Sequence, residues 1–133
     1  MALPHPFQVT IHPFPSATPY SCAYERGDVG CRNALVYIPG LTGGPHTSTA
    51  LVDAMLQAFN RASTSGRFAI WEFRMRSSYT GFGYSSLAND VEDIAALVTY
   101  LKSRDKKKIV LMGSSTGAIR LRWSVSNVAD LQN

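Results

Sequence analysis

The chain has 133 residues, of which 45% are hydrophobic, and its formal net charge is +4. That length suits one domain with a core of its own. The basic residues are scattered along the chain, without a zinc-ligand spacing or an alternation of aromatic and basic residues. The composition therefore argues against nucleic-acid binding.

The first ten residues contain two prolines and no continuous apolar stretch of the kind that signal peptides have. No apolar run approaches the length of a membrane span. We therefore expect a cytoplasmic protein with no membrane partner. In a reducing compartment Cys22 and Cys31 are expected to be free thiols, and a disulfide across a hairpin is the less favoured alternative.

Two short strands are predicted near the amino terminus. They cover residues 7–11, which alternate in polarity, and residues 17–24. Between and within them, Pro13, Pro15 and Pro19 are expected to exclude regular structure. Both strands should therefore lie at an edge of the sheet.

The segment 34–38 is apolar throughout and ends at Pro39, which predicts a strand buried on both faces. The loop 40–46 that follows is rich in glycine, so its backbone amides can approach a ligand closely. A phosphate-binding turn and a flexible connection are the alternatives, but neither nucleotide-binding glycine pattern is present. We expect His46, an isolated loop histidine, to be solvated and without a catalytic role.

A helix capped by Thr47 or Ser48 is predicted to run to about Ala62. A third strand is predicted over residues 68–73. The polar and aromatic loop 74–83 then lies at the carboxyl end of that strand, where open α/β sheets bind ligands. The predicted core face of the helix comprises Leu51, Ala54, Met55, Ala58 and Phe59.

A second helix is predicted to begin at Ser86 or Asn89. Its first turn is acidic and its last turn is basic, which matches the helix macrodipole at both ends. The apolar face of this helix comprises Leu87, Val91, Ile94, Leu97, Val98 and Leu101. After the helix, the lysines at 106–108 are expected to form a solvated loop.

The most informative pattern follows that loop. Residues 109–112 are apolar and predict a buried strand, and the Gly-x-Ser-x-Gly turn from Gly113 to Gly117 comes directly after it. After a strand, this pattern is typical of a nucleophile elbow, which holds the central serine, Ser115, in a strained turn before a helix. Gly113 and Gly117 would avoid side-chain collisions within that turn. An ordinary turn with Ser115 as a helix N-cap is the alternative.

Three segments together resemble a known family. They are residues 76–83 (Arg-Ser-Ser-Tyr-Thr-Gly-Phe-Gly), 90–93 (Asp-Val-Glu-Asp) and 108–117. Over residues 33–117 the chain is similar to a largely uncharacterised family of α/β-hydrolase-fold proteins that includes fungal siderophore esterases. The alternation of strands and helices favours a parallel sheet with helices on both faces. The resemblance implies a three-layer α/β-hydrolase-like sheet, mostly parallel and incomplete at its carboxyl-terminal side.

The resemblance also implies a serine hydrolase that acts on a small-molecule ester and uses no cofactor or metal. Ser115 would be the nucleophile, and the backbone amides of Leu41 and Thr116 would stabilise the oxyanion. The family usually has histidine where this chain has Ser114. That departure concerns the surroundings of the elbow more than its chemistry.

A larger departure concerns the catalytic triad. An α/β-hydrolase supplies serine, then an acid, then histidine along the chain. Residues 116–133 contain one acid, Asp130, and no histidine. Because a serine without a base is a poor nucleophile, we expect a truncated form with little activity alone. A non-catalytic binding module or pseudoenzyme is the alternative.

The chain is expected to form a single partial domain, with edge strands and a proline-rich lead-in over 1–33 and a divergent tail over 118–133. In the hydrolase fold, further strands pair with the strand at 109–112, and this sequence encodes none after it. An apolar strand with an unpaired edge promotes aggregation. We therefore expect self-association through this edge unless the tail covers it.

Overall fold

The computed structural model describes residues 5–61, 67–114 and 117. The elements in chain order are β1 (Thr10–Pro13), β2 (Cys22–Arg26), β3 (Asn33–Ile38), α1 (Thr49–Asn60), β4 (Ala69–Phe73), a 3-10 helix (Tyr79–Gly83), α2 (Leu87–Ser103) and β5 (Lys108–Gly113). The strands form one sheet in the order β1-β2-β4-β3-β5. The central strands therefore lie within about one residue of their predicted positions.

The sheet is mixed, with a helix on each face. β3 pairs in parallel with β4 and β5, whereas β2 pairs antiparallel with β1 and β4. Val36 of β3 belongs to the core cluster that contains Leu97 of α2, whereas the adjacent Leu35 belongs to the cluster that contains Val52 of α1. Successive side chains of a strand point to opposite faces. The predicted three-layer α/β architecture is therefore confirmed.

The two amino-terminal strands begin later than predicted. β1 begins at Thr10 and includes Pro13, so the expectation that Pro13 excludes regular structure is wrong. β1 is the outermost strand, where a residue without an N–H group is tolerated because one side of the strand needs no ladder bond. β2 begins at Cys22 and lies between β1 and β4, so only β1 is an edge strand of this pair.

The buried face of α1 differs from the predicted one. Val52 and Leu56 pack against the sheet together with Met55 and Phe59. These four positions also have helical spacing, and they carry more apolar volume than the predicted alanines. Asp53, next to Val52 in α1, forms an ion pair with Arg26 of β2, which helps to hold this face of the helix against the sheet. The predicted core residues that are exposed are Leu51, Ala54 and Ala58.

The two helices begin differently. Ser48 occupies the N-cap position of α1, which confirms the predicted start of the helix, but its side chain makes no capping hydrogen bond. Its hydroxyl instead lies 3.5 Å from the hydroxyl of Tyr37. The Ser86 side chain accepts a hydrogen bond from the backbone N–H of Asn89 at 3.2 Å, which confirms Ser86 as the start of α2.

Lys106 is not solvated, contrary to the prediction for residues 106–108. Its ammonium group donates to the Cys31 carbonyl at 2.8 Å and lies 3.8 Å from a carboxylate oxygen of Glu25. The same nitrogen is 5.4 Å from the centre of the Trp71 ring. Lys106 therefore stabilises the end of the sheet at which β5 begins, whereas Lys107 and Lys108 are exposed as expected.

Both cysteines are free thiols, as expected. The Cys31 thiol donates to the Arg67 carbonyl at 3.0 Å, so its packing is satisfied without a disulfide. Among the described residues, no helix is long and apolar enough to cross a membrane. The cytoplasmic location stays a prediction.

β5 has one neighbouring strand within the described part of the chain. It pairs with β3 from Lys108 opposite Asn33 to Gly113 opposite Ile38, and no described strand lies on its other side. Val110 of this strand is 41% exposed. The predicted tail, residues 118–133, lies outside the described residues.

We propose that the chain self-associates through this edge of β5 unless residues 118–133 cover it. An edge strand presents N–H and C=O groups that a second copy can pair with, and an added lysine opposes such pairing. Val110→Lys should therefore shift the 133-residue chain from oligomer to monomer in sedimentation velocity. Leu51→Lys, on the exposed side of α1, is the matched control and should leave the oligomer unchanged. A wild-type chain that is already a monodisperse monomer would contradict this prediction.

Candidate active site

Three loops meet at one end of the sheet. They follow β3, β4 and β5, whose carboxyl ends point the same way because the three strands are parallel. In open α/β sheets this end is where ligands bind. The predicted oxyanion loop, the Arg-Ser-Ser-Tyr segment and the start of the predicted elbow therefore lie at the end expected for an active site.

The turn after β5 packs closely on β3. The backbone N–H of Ser114 donates to the Ile38 carbonyl at 3.0 Å, and that of Gly117 donates to the Ser114 carbonyl at 2.9 Å. A Cβ atom at Gly117 would lie 2.3 Å from the Ile38 oxygen and 2.8 Å from the Pro39 oxygen. Gly117 is therefore required by the close approach of β3, a more specific reason than crowding around the serine.

Two predicted site residues cannot be placed. Ser115 and Thr116 lie outside the described residues, so the nucleophile and one predicted oxyanion donor stay predictions. Gly113, the last residue of β5, pairs with Ile38 and so fixes where the turn begins. The structure thus brings Gly113 and Gly117 together against the end of β3.

Leu41 lies in the turn directly after β3 and is 56% exposed. The turn closes with a hydrogen bond from the Gly43 N–H to the Gly40 carbonyl at 3.1 Å. Thr42 has a φ of +63°, an uncommon value for a residue with a side chain. The backbone of this loop is therefore tightly folded, as an oxyanion site requires. The donor role of the Leu41 amide stays a prediction.

Tyr79 holds this loop from the side of β4. Its backbone N–H donates to the Gly43 carbonyl at 3.1 Å, and its hydroxyl donates to the Pro45 carbonyl at 2.7 Å. A Cβ atom at Gly44 would lie only 2.5 Å from the Tyr79 ring. The aromatic residue of the Arg-Ser-Ser-Tyr segment therefore positions the predicted oxyanion loop.

The same segment is fastened to the first turns of α2. The Ser77 hydroxyl donates to Asp90 at 2.6 Å, and the Arg76 backbone N–H donates to Asp93 at 2.8 Å. The Arg76 guanidinium also lies 3.0 Å from the Asp93 carboxylate, and hydrogen bonding to Asp93 is the main cause that raises the pKa of Arg76. Both carboxylates are buried. We refer to these contacts between residues 76–77 and α2 as the loop anchor.

The loop anchor adds a second role for the acidic residues at the start of α2. The predicted match to the helix macrodipole is confirmed, with Asp90 in the first turn and Lys102 in the last. Asp90 and Asp93 also serve as buried acceptors for a neighbouring loop. The signal for this was present, because a segment with arginine and serines precedes a segment with two aspartates, but only the fold shows that they meet.

His46 differs from expectation. Its ring packs against Tyr24 and Phe7, with centroid separations of 4.9 and 5.2 Å, so it is only partly exposed rather than solvated. Its backbone N–H donates to Glu72 at 3.0 Å, and its Nδ1 lies 3.8 Å from the other oxygen of that buried carboxylate. Tyr24 belongs to β2, which β4 and β3 separate from β5. These contacts give His46 a structural role at the far end of the loop.

The other two histidines are also engaged. His12 lies 3.0 Å from both Glu25 and the Tyr100 hydroxyl, and His5 lies 3.5 Å from Asp53. Within residues 5–61 and 67–114, no group of three or more histidine, cysteine, aspartate or glutamate residues could hold a metal ion. The described part of the candidate site consists of backbone groups, glycines and the Tyr79 contacts.

A pair of glycine substitutions tests how tightly the segment after β4 is folded. A Cβ atom at Gly81 would lie 2.2 Å from the Arg76 carbonyl oxygen, whereas one at Gly83 would meet nothing within 4 Å. Gly81→Ala should therefore destabilise the fold by about 1–3 kcal/mol, because the backbone of the anchored segment must move. Gly83→Ala, in the same 3-10 helix, should change stability by less than about 0.5 kcal/mol. Equal urea midpoints for the two variants would contradict the assignment.

Tyr79→Phe tests the hydrogen bond from the Tyr79 hydroxyl to the Pro45 carbonyl. Burial raises the pKa of Tyr79 above its ordinary value of 10.0. The protonated Tyr79 side chain contributes stability that is fully present below about pH 10. That stability is lost as pH rises through the pKa of the folded state, because the unfolded chain releases the proton first. The variant should be less stable at pH 8 by about 0.5–1.5 kcal/mol, for the lost hydrogen bond to Pro45. The difference in Tm should shrink at pH 11, and a constant difference would contradict it.

Several solved structures are similar to this chain, whereas no curated protein gives a significant match. Siderophore hydrolase EstB from Aspergillus fumigatus is 24% identical, with a TM-score of 0.67 over 85% of this chain and 34% of that one. Est1E from Butyrivibrio proteoclasticus, solved with ferulic acid, is 19% identical, with a TM-score of 0.59 over 84% and 46%. DcsB, solved with a substrate analogue, is 18% identical, with a TM-score of 0.63 over 89% and 41%.

The described chain thus spans between a third and a half of the length of these structures. Their similarity shows that the fold is that of the α/β-hydrolases, as the sequence resemblance implied. Residues 1–126 match a family that is described as "Protein of unknown function (DUF1749)". The chain therefore belongs to this DUF1749 family of α/β-hydrolase-fold proteins.

Proposed function

We propose that this protein is a serine hydrolase that acts on an ester, with Ser115 as its nucleophile. The observation that carries the proposal is the packing of Gly117 on the Ile38 and Pro39 carbonyls. That contact requires glycine where the elbow pattern has it, and it brings Gly117 against Pro39, just before the loop that contains Leu41. The names of the similar siderophore hydrolase and the ferulic acid complex support an ester or related acyl substrate.

In the proposed reaction the Ser115 hydroxyl attacks the ester carbonyl and forms a tetrahedral intermediate, and its proton passes through water to the oxygen of the leaving alcohol. The backbone amides of Leu41 and Thr116 donate hydrogen bonds to its oxyanion, which is usually a large contribution to catalysis. Collapse of the intermediate expels the alcohol, and water then releases the acid from the serine. The Tyr79 contacts support the Leu41 side of this arrangement by holding the loop at Gly43 and Pro45.

The weak part of the site is the base. No histidine occurs in residues 116–133, and all three histidines of the chain interact with carboxylates elsewhere. Loss of the base lowers the rate of such enzymes by several orders of magnitude. We therefore propose that residues 1–133 contain an incomplete triad and have low activity alone. We also infer a cytoplasmic location, which the free cysteines support.

The second candidate function is a non-catalytic binding module. The engagement of every histidine in other contacts favours it, because the pocket loops could then bind an ester without cleaving it. The two functions differ in whether Ser115 is reactive. A reactive serine is expected for the hydrolase and not for the binding module.

Covalent labelling with a fluorophosphonate probe separates the two functions. We expect slow labelling of the wild-type chain and none of Ser115→Ala, with Ser114→Ala as the matched control that keeps its labelling. Imidazole in the buffer should accelerate the reaction, because it can replace the missing base. Absence of labelling in folded wild-type protein, with and without imidazole, would favour the binding module.

A further inference from the structure

A cleft of about 410 Å³ lies between the β1–β2 connection and the residues that follow β4. It opens at the same end of the sheet as the candidate active site. β2 runs antiparallel to β4, and Ala23 lies opposite Phe73, so the start of one strand is beside the end of the other. The lining includes Thr18, Tyr20, Tyr24, Arg74, Met75 and Arg76.

The two arginines of this cleft differ in their partners. Arg76 is bound by Asp93 and lies 3.5 Å from Glu92, so its charge is already matched. Arg74 is exposed, and no carboxylate of the described residues forms an ion pair with it. Its guanidinium carbon lies 5.7 Å from the centre of the Tyr79 ring, a cation–π distance. Within the described part of the chain, Arg74 is therefore the charge of this cleft that has no ion-pair partner.

Tyrosines supply the aromatic surface of the cleft. Tyr20 is 99% exposed and has a φ of +61°, which few residues with a side chain adopt. Tyr24 lies in β2 next to the start of the cleft, with its ring against His46. A guanidinium beside phenol rings suits a ligand that has a carboxylate on a flat or apolar body.

We propose that this cleft binds the carboxylate of a small organic acid through Arg74. Arginine can donate two parallel hydrogen bonds to a carboxylate, which fixes the orientation of the ligand. Among the described residues the lining has no lysine and one arginine without an ion-pair partner, so a monoanion fits better than a phosphate dianion. Binding through Arg74 requires no chemistry at Ser115.

The position of the cleft also indicates a substrate class, and this part of the inference rests on the proposed function. β3 separates β4 from β5, so the ends of β4 and β5 lie two strand spacings, roughly 10 Å, apart. An ester of ordinary size can span that distance. The substrate would therefore be an ester that carries a free carboxylate away from the bond to be cleaved, and Arg74 would determine specificity without being catalytic.

Ligand-observed saturation-transfer NMR tests the binding site, because it works with monomers and oligomers alike. The probes are benzoate and its neutral analogue benzamide, titrated at pH 7 against the full chain. We expect benzoate to bind more tightly than benzamide, and Arg74→Gln to weaken benzoate binding about fivefold to tenfold while leaving benzamide unchanged. Arg74→Lys should recover part of the affinity, because it keeps the charge but loses the planar fork.

Arg104→Gln is the matched control, since it removes the same charge from an exposed arginine at the carboxyl end of α2, which does not line the cleft. It should leave benzoate binding unchanged. An equal loss in Arg104→Gln, or no loss in Arg74→Gln, would overturn the proposal. Because no turnover is measured, a failure here is distinguishable from a failure of Ser115 to react with the fluorophosphonate probe.

Discussion

The arrangement of the candidate site depends on the loop anchor, in which Asp90 and Asp93 of α2 accept hydrogen bonds from Ser77 and Arg76. Burying two carboxylates is costly unless each is hydrogen-bonded, and here both are. The anchor fixes the segment after β4, and Tyr79 of that segment then holds the glycine-rich loop after β3. Contacts with α2 thus help to determine the geometry of the loop after β3, although α2 does not contact that loop through the anchor itself.

β3 connects this scaffold to the predicted elbow. All of its residues are buried, and it is paired on both sides. Its last carbonyl, at Ile38, accepts the Ser114 N–H and excludes any side chain at Gly117. Gly117, the second glycine of the elbow pattern, is therefore required by packing against the sheet. A reactive serine needs such a turn, but the same turn also suits a module that only binds.

The two outer strands of the described sheet, β1 and β5, differ in how well their edges oppose pairing with another chain. At β1 the outer edge carries Pro13, which cannot donate a ladder hydrogen bond and so opposes pairing with another chain. At β5 the outer edge has no such residue, and Val110 is partly exposed. The difference is the physical reason to expect association at β5 and not at β1. The cleft and the β5 edge are at different places in the fold, so they can be tested separately.

The sequence by itself determined the three parallel strands, the two helices and the α/β class, because continuous apolar runs and helical periodicity depend on local order. It also located the elbow glycines and the loop that contains Leu41. Only the tertiary structure decided which face α1 buries, that Lys106 and His46 are not solvated, and that Asp90 and Asp93 anchor a loop. These outcomes depend on neighbours that are distant in sequence, such as Arg26 for α1 and Glu72 for His46. A local pattern contains no information about such partners.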